Sequence, residues 1–217
     1  MRMRAADYDR NVHLGLLTSL ALIFLWSAVR PYDRLTWYLE VFPAIVGVFL
    51  LVVTYARFRF SRLAYVMVWL HAIVLLVGGH YTYAEVPLFN WLRETFELGR
   101  NHYDRLGHLA QGFFPAVVIR EILLRLAPLK PGKWLFFLVT CVGLAISAFY
   151  ELIEWWVALS SGDDAILFLA TQGDPWDTQW DMLLALTGVI VSQLLLGHLH
   201  DASMKRVAGA KPQRRSR

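Results

Sequence analysis

The sequence predicts an all-α protein that crosses a membrane several times, and two properties of the chain support this fold class. Hydrophobic residues make up 57% of the 217 residues and charged residues only 18%, whereas a soluble domain is about half apolar and a quarter charged. The apolar residues also form long runs, and run length separates a membrane span from a buried strand. The single cysteine, Cys141, excludes an internal disulfide and a cysteine-based zinc site.

Six apolar segments approach the roughly 20 residues that a helix needs to cross the hydrocarbon core. They comprise approximately residues 11–29, 38–56, 62–80, 105–126, 134–158 and 181–200. The first segment is longer than the apolar part of a signal peptide and no small-residue cleavage site follows it, so we predict an uncleaved span. We expect residues 1–204 to form one six-helix transmembrane domain and residues 205–217 to form a disordered basic tail.

The charges of the connecting segments predict the orientation of the chain. Lysine and arginine dominate the N-terminal tail, the second and fourth connections and the C-terminal tail, whereas the fifth connection, residues 159–180, carries four aspartates and no basic residue. Because basic connections stay in the cytoplasm, we predict that both termini are cytoplasmic. The net charge of +4 then reflects topology, and no nucleic-acid partner is expected.

The third connection, about residues 81–104, contains an amphipathic stretch. Apolar and charged side chains fall on opposite faces of a short helix that Pro87 would begin. The apolar face consists of Leu88, Phe89, Leu92 and Phe96. Two interpretations stay open: the helix lies in the outer membrane interface, or it packs over the helix bundle.

Histidines and carboxylates occur together at the predicted outer level of four consecutive spans. Helical spacing places Asp104 and His108 on one face of the fourth span, and Glu151 and Glu154 on one face of the fifth. Aspartate, glutamate and histidine without cysteine suit zinc, manganese or iron. The residues predicted to hold a divalent metal are His80, His102, Asp104, His108, Glu151 and Asp177. Glu154 and Asp181 are the predicted general bases for a metal-bound water.

The sixth span carries a stripe of small residues that begins at Asp181. Ala185, Gly188 and Ser192 follow it on the same face and predict close contact with a neighbouring helix. At the cytoplasmic level, by contrast, Arg120, Glu121 and Arg125 are expected to extend to the interface and to form ion pairs. His198 and His200 are expected to be structural, because a cation suits the C-terminal end of a helix.

The polar residues at the outer level require a physical explanation. A carboxylate at the centre of a membrane helix costs on the order of 3 kcal/mol, so several are kept only where a metal, an arginine or a transported proton compensates them. Plain interhelical ion pairs are the simpler alternative, for example Asp104 with Arg105 or Glu151 with Arg100. A metal or catalytic site explains the whole set better than a structural network does.

Four stretches resemble a known family: GGHYTYAEVPLFNW, NHYDRLGHLAQGFFPA with REILLR after it, SAFYELIEWW and TQGDPWDTQWDM. They cover the chain from about Gly78 to Ala185, and in them the sequence is similar to the YjdF-like inner-membrane proteins of bacteria. The resemblance implies a multi-pass protein of the bacterial inner membrane. It implies no reaction, so no catalytic role is carried over from the family.

Three functions are compatible with these residues. The first is a metal-dependent membrane hydrolase that acts on a lipid or lipid-linked substrate, although the sequence has no HExxH motif. The second is a small proton- or ion-coupled transporter. The polar groups lie near one surface rather than at the midplane, which argues against a transporter. The third is a non-catalytic scaffold in which polar contacts hold the helices together.

Overall fold

The computed structural model describes residues 5–127, 129–161 and 166–209, and in these ranges it contains helices and no β-strand. The long helices are α1 (Ala5–Ala28), α2 (Arg34–Thr54), α3 (Arg62–Tyr81), α5 (Tyr103–Leu126), α6 (Lys133–Ser161) and α8 (Asp177–Gly209). The short helices are α4 (Pro87–Thr95) and α7 (Ile166–Leu169), and one 3-10 turn covers Tyr83–Glu85. The predicted all-α class is therefore confirmed.

Five of the long helices have the length and apolarity of membrane spans: α1, α2, α3, α6 and α8. Helix α5 coincides with the remaining predicted segment and has 24 residues, or about 36 Å at the usual rise per residue. It is not among those five helices, because polar residues such as His108 and Gln111 lower its mean hydropathy. Asp163 and Asp164 of the fifth connection lie outside the described residues.

Local sequence signals explain where the helices begin. The Asp33 side chain accepts a hydrogen bond of 2.7 Å from the Thr36 backbone N–H and thereby caps α2. At the start of α5 the capping side chain is that of Asn101, and the adjacent His102 makes no capping hydrogen bond. The Asn101 side-chain oxygen accepts a hydrogen bond of 3.0 Å from the Tyr103 backbone N–H.

Helix α5 lies at the centre of the bundle and contacts α3, α6 and α8. Its contact with α8 is close, because a Cβ added to Gly112 would overlap the Ala185 carbonyl and one added to Gly188 would overlap the Leu109 carbonyl. Ala185 and Ser192 are buried in the same interface. The predicted small-residue face of the sixth span is thus confirmed.

The helices run so that the two ends of the bundle differ in charge. One end, the acidic end, contains the starts of α2, α5 and α8 and the last turns of α1, α3 and α6, as the contacts of Ser27 with Leu76 and of Arg100 with Asp177 indicate. The opposite end, the basic end, contains the α2–α3 and α5–α6 connections and their arginines and lysines. An apolar cavity of about 350 Å³ lies between α1, α2 and α3 near the basic end.

The predicted amphipathic helix is present as α4, at the acidic end. Phe89 packs against the Tyr103 ring, and the Asn90 side-chain oxygen accepts a hydrogen bond of 2.8 Å from Asn101. Leu88 and Trp91 on the same helix are exposed. One part of α4 therefore packs on the bundle, as the second interpretation expects, and another part of its apolar surface is exposed.

Candidate metal centre

His108 forms the centre of the polar cluster at the acidic end. It lies on α5, one turn after Asp104, and only 4% of the residue is exposed. Its Nε2 atom is 3.5 Å from Asp104 Oδ1 and 3.8 Å from Asp181 Oδ2, which arrives from α8. Ligand atoms of a tetrahedral zinc site, bound at about 2.0–2.1 Å, are about 3.3 Å apart. The three side chains therefore need to move only slightly to hold a divalent cation, and we refer to them as the α8-side group.

A second set of ligand atoms lies on the other side of the imidazole. His108 Nδ1 is 3.7 Å from Glu151 Oε1 and 3.3 Å from the side-chain oxygen of Gln111. His108, Glu151 and Glu154 each offer an atom within 4.8 Å of the others. We refer to these residues, with Gln111, as the α6-side group. The three members of the α8-side group likewise each offer a ligand atom within 4.8 Å of the other two.

Two arginines fix the carboxylates around this cluster. Arg100 Nη2 donates to Asp104 Oδ2 at 3.0 Å, while Nη1 of the same guanidinium donates to Asp177. Arg105 Nη2 donates to Asp174 Oδ2 at 2.7 Å. The pKa of Asp174 is lowered by the hydrogen bond from Trp176 N–H and by the adjacent guanidinium of Arg105. Arg100 thus binds one oxygen of Asp104 and leaves the other oxygen to face His108.

Two loops are clamped together to hold Arg100 in this position. The Gln172 side chain accepts from Asn101 N–H and donates to the Asn101 carbonyl, each at 2.9 Å. Arg100 Nη2 also donates to the Ala170 carbonyl at 3.1 Å. Ala170 and Gln172 both have positive φ angles, as a tight turn at this point requires. The connection before α8 therefore helps to position Arg100, and the spacing of the predicted ligand residues did not indicate this role.

Glu40 on α2 belongs to the cluster although the sequence argument did not select it. It is 3% exposed, and its Oε2 atom has no hydrogen-bond partner in the described structure. It lies close enough to Asp104, His108 and Glu154 to interact electrostatically with each of them. The available signal was a single carboxylate inside the apolar run of the second span, which by itself indicates a functional position.

The structure brings together some of the predicted ligands and separates others. Asp104, His108 and Glu151 lie together, joined by the predicted bases Glu154 and Asp181. The remaining predicted ligands, His80, His102 and Asp177, make other contacts. Among the described residues, no other group of three ligand atoms was found close together.

His80, His102 and Asp177 lie around the cluster rather than in it. His80 Nδ1 is 3.1 Å from the Ser27 carbonyl, and its ring is 4.4 Å from that of Trp26. His102 precedes α5, where burial lowers its pKa and the two nearby guanidiniums lower it further. Asp177 is bound by both Arg100 and Arg105.

The cluster carries more negative charge than its own cations balance. The two positive charges of Arg100 and Arg105 are balanced by the two negative charges of Asp174 and Asp177 at the rim. Asp104, Asp181, Glu151 and Glu154 remain, together with Glu40. Buried oxygens of three of these side chains lack a partner among the described atoms, namely Glu40 Oε2, Glu151 Oε1 and Asp181 Oδ1. Burial of such groups is costly unless a cation or a proton compensates them.

At the basic end the expected pairing of Arg120, Glu121 and Arg125 is confirmed, because Arg125 pairs with Glu121 and Arg120 with Asp201, but Arg120 and Glu121 are buried rather than interfacial. Glu121 is fully buried and accepts from Ser61 N–H at 2.9 Å, from Arg125 and from His200 Nε2 at 3.0 Å. Arg120 donates to His200 Nδ1 at 3.0 Å. Arg120 and Glu121 are buried because this part of α5 packs against α8, whereas Arg125 is partly exposed. The structural role predicted for His200 is consistent with this network.

Fold and site together define a helical membrane protein with a buried, histidine-centred carboxylate cluster at one end. Comparison with known proteins assigns the family. Residues 12–202 match the family described as "Predicted membrane protein (DUF2238)", and the chain belongs to it. The chain is 48% identical over 188 residues to the inner membrane protein YjdF of Escherichia coli (strain K12), which covers 87% of this chain and 90% of that protein. No solved structure matches the chain.

Proposed function

We propose that the chain is a metal-dependent membrane enzyme whose α8-side group, Asp104, His108 and Asp181, holds a divalent cation. The observation that carries this proposal is the convergence of two carboxylate oxygens on His108 Nε2 at 3.5 Å and 3.8 Å. Zinc, manganese and iron are the metals that such a ligand set suits. Arg100 supports the site by holding the second oxygen of Asp104 at 3.0 Å.

Hydrolysis is the reaction class that this chemistry fits. A water bound to a divalent cation loses a proton near neutral pH and becomes a nucleophile. Of the two predicted general bases, Asp181 belongs to the ligand set of this cation, so Glu154 is the carboxylate predicted to accept that proton.

A lipid or lipid-linked substrate is favoured by the position of the site. The cluster lies near helix ends, where Trp155, Trp156 and Trp180 are exposed. Exposed tryptophans at helix ends mark the headgroup level of a bilayer. Arg105 also stacks on the Trp180 ring at 5.4 Å, so a cation lies at the same level. An anionic headgroup would meet these side chains before it reached His108.

The proposal includes six membrane spans with both termini in the cytoplasm of a bacterial cell, in its inner membrane. Burial of the α5 charges within the bundle supports α5 as the additional span, because it removes those charges from contact with lipid. The arginines and lysines of the basic end support its cytoplasmic position. Reporter fusions after residues 58, 99, 130 and 172 test this topology, with cytoplasmic signals expected at 58 and 130 only.

A proton- or ion-coupled transporter is the second candidate, and Glu40 favours it. Its Oε2 atom has no hydrogen-bond partner in the described structure, and the carboxyl lies in the bundle interior close to the Tyr83 and Tyr150 side chains. Buried acids of this kind carry protons in membrane transporters. Proteoliposomes under proton and cation gradients test this alternative: flux that is lost in Glu40→Gln would establish transport and displace hydrolysis as the function.

Elemental analysis by mass spectrometry tests the proposed function. Detergent-purified wild type is expected to contain stoichiometric zinc, manganese or iron, and the Asp104→Ala/His108→Ala variant is expected to contain none. Metal-loaded protein should then release products from phospholipid or lipid-linked substrates, and the double variant should not. A folded wild type purified without chelator that contains no metal and takes up none would contradict the proposal.

A further inference from the structure

We infer that the α6-side group binds a second divalent cation, so that His108 lies between two metals. The inference rests on the proposed metal site and deepens it. Gln111, Glu151 and Glu154 would supply the oxygen ligands and His108 Nδ1 the nitrogen ligand. The two sites would use opposite nitrogens of one imidazole ring.

The geometry of the α6-side group resembles that of the α8-side group. Two oxygens lie 3.3 Å and 3.7 Å from His108 Nδ1, against 3.5 Å and 3.8 Å at Nε2. Glu154 completes the group, with a carboxylate oxygen within 4.8 Å of the other two ligand atoms. One nitrogen and three oxygens satisfy the four-coordinate preference of zinc and leave room for water on manganese.

An unpartnered atom points independently to a ligand at this position. Glu151 is 7% exposed, and its Oε1 atom, the one that faces His108, has no hydrogen-bond partner in the described structure. A buried carboxylate oxygen without a donor is energetically unfavourable. A cation between Glu151 and the ring would supply the missing contact.

The charge of the cluster favours two cations over one. After the rim aspartates are matched with Arg100 and Arg105, four carboxylates remain in the two groups: Asp104, Asp181, Glu151 and Glu154. One divalent cation leaves two of these four negative charges uncompensated, whereas two divalent cations offset all four. Glu40 and the deprotonated His108 ring add further negative charge to the cluster, which favours the larger number of cations. Isolated buried charges are far more costly than paired ones, so two cations fit the residue set better.

Occupation of both ring nitrogens changes the state of His108 and the role of Glu154. The imidazole must lose its remaining N–H proton, which is released to solvent as the metals bind. Bond lengths of about 2.0–2.1 Å on each side of the ring then place the metals about 6 Å apart. Glu154 is a ligand in this arrangement rather than a free base.

Metal stoichiometry after loading with Mn²⁺ tests the second site. Glu151→Gln and Asp181→Asn each remove one carboxylate charge from one group while preserving side-chain shape. We expect two Mn²⁺ per chain in wild type, one in each of these variants and none in His108→Ala. Glu94→Gln, which changes an exposed acid on α4, should retain two.

The outcomes separate the two proposals. One Mn²⁺ in wild type, retained in Glu151→Gln and lost in Asp181→Asn, would overturn the second site and leave the proposed metal enzyme standing. No Mn²⁺ in folded wild type would overturn both. Electron paramagnetic resonance gives an independent reading, since two Mn²⁺ about 6 Å apart broaden each other's spectrum. That broadening should disappear in Glu151→Gln, and an unbroadened six-line spectrum in wild type would contradict the inference.

Discussion

The two ends of the bundle each contain a buried cluster of charged residues around a histidine, but only the cluster at the basic end is balanced. There, His200 accepts a hydrogen bond from Arg120 and donates one to Glu121. Glu121 also accepts hydrogen bonds from Arg125 and from the Ser61 N–H. At the acidic end, His108 faces carboxylates on both sides of its ring, and several carboxylate oxygens lack partners among the described atoms.

The contrast separates a structural polar network from a binding site. A buried network that satisfies all its members fixes the packing of helices, as the Glu121 network does for α5, the start of α3 and the end of α8. A network with surplus charge lowers stability and is retained for another reason. Both clusters use the same two helices, so the difference does not arise from a difference in fold.

The largest expected effect is the loss of Glu121. Glu121→Ala would leave the buried His200, Arg125 and Ser61 N–H without their acceptor, and breaking a buried charged network costs about 3–5 kcal/mol. Thermal unfolding in detergent should show a large fall in midpoint. Glu94→Ala, at an exposed position, is the control and should stay within about 0.5 kcal/mol of wild type. Equal midpoints for the two variants would show that the basic-end network is not structural.

A second prediction concerns the helix crossing on which both clusters depend. Gly112→Val would place side-chain atoms against the Ala185 backbone, and overpacking of this kind costs about 1–3 kcal/mol. Because α5 and α8 carry residues of both clusters, the variant should lower the unfolding midpoint and also weaken metal binding.

Gly197→Ala on α8 is the matched control for that crossing. Nothing lies within 4 Å of a Cβ added at Gly197. Replacing a helical glycine by alanine there should raise stability by up to about 1 kcal/mol. Equal destabilisation by both variants would mean that α5 and α8 do not approach closely.

Loss of an acid at the acidic end should act in the opposite direction to Glu121→Ala. In excess chelator, Glu151→Gln removes one uncompensated negative charge, so the unfolding midpoint should remain equal to that of wild type or rise. With Mn²⁺ present, wild type should gain more stability than the variant does. A fall in chelator comparable to that of Glu121→Ala would show that Glu151 is paired in the resting protein.

The smallest effect is expected at the rim. Asp174→Asn weakens the contact with Arg105 at 2.7 Å, but the aspartate is partly exposed and exposed ion pairs contribute little to stability, so the unfolding midpoint should hardly change. Metal content should not change, because Asp177 still contacts both arginines. Loss of metal in this variant would place Asp174 in the site.

Sequence patterns predicted most of the fold because membrane spans are specified by run length. The predicted segment 62–80 corresponds to α3, Arg62–Tyr81, and the predicted segment 105–126 to α5, Tyr103–Leu126. Helical spacing also predicted that Asp104 and His108 share a face. These inferences depend on a single helix and its period, which the sequence contains in full.

Contacts between distant helices were harder to predict. Glu40 was missed because its partners come from other helices, and Asp104 pairs with Arg100 rather than with the adjacent Arg105. Glu121 and His200 are separated by 79 positions, so their pairing depends on how α5 crosses α8. Helical period indicates which face a residue occupies, but not which neighbouring helix that face meets.

The cation dependence of stability tests the central claim most directly. Thermal unfolding of wild type and His108→Ala would be followed in chelator and then in Mn²⁺. A cation at about 100 times its dissociation constant stabilises the folded state by about 2.7 kcal/mol, so the wild-type midpoint should rise while that of His108→Ala stays constant. A Mn²⁺-independent wild-type midpoint, or an equal rise in both proteins, would contradict a cation site at the acidic end.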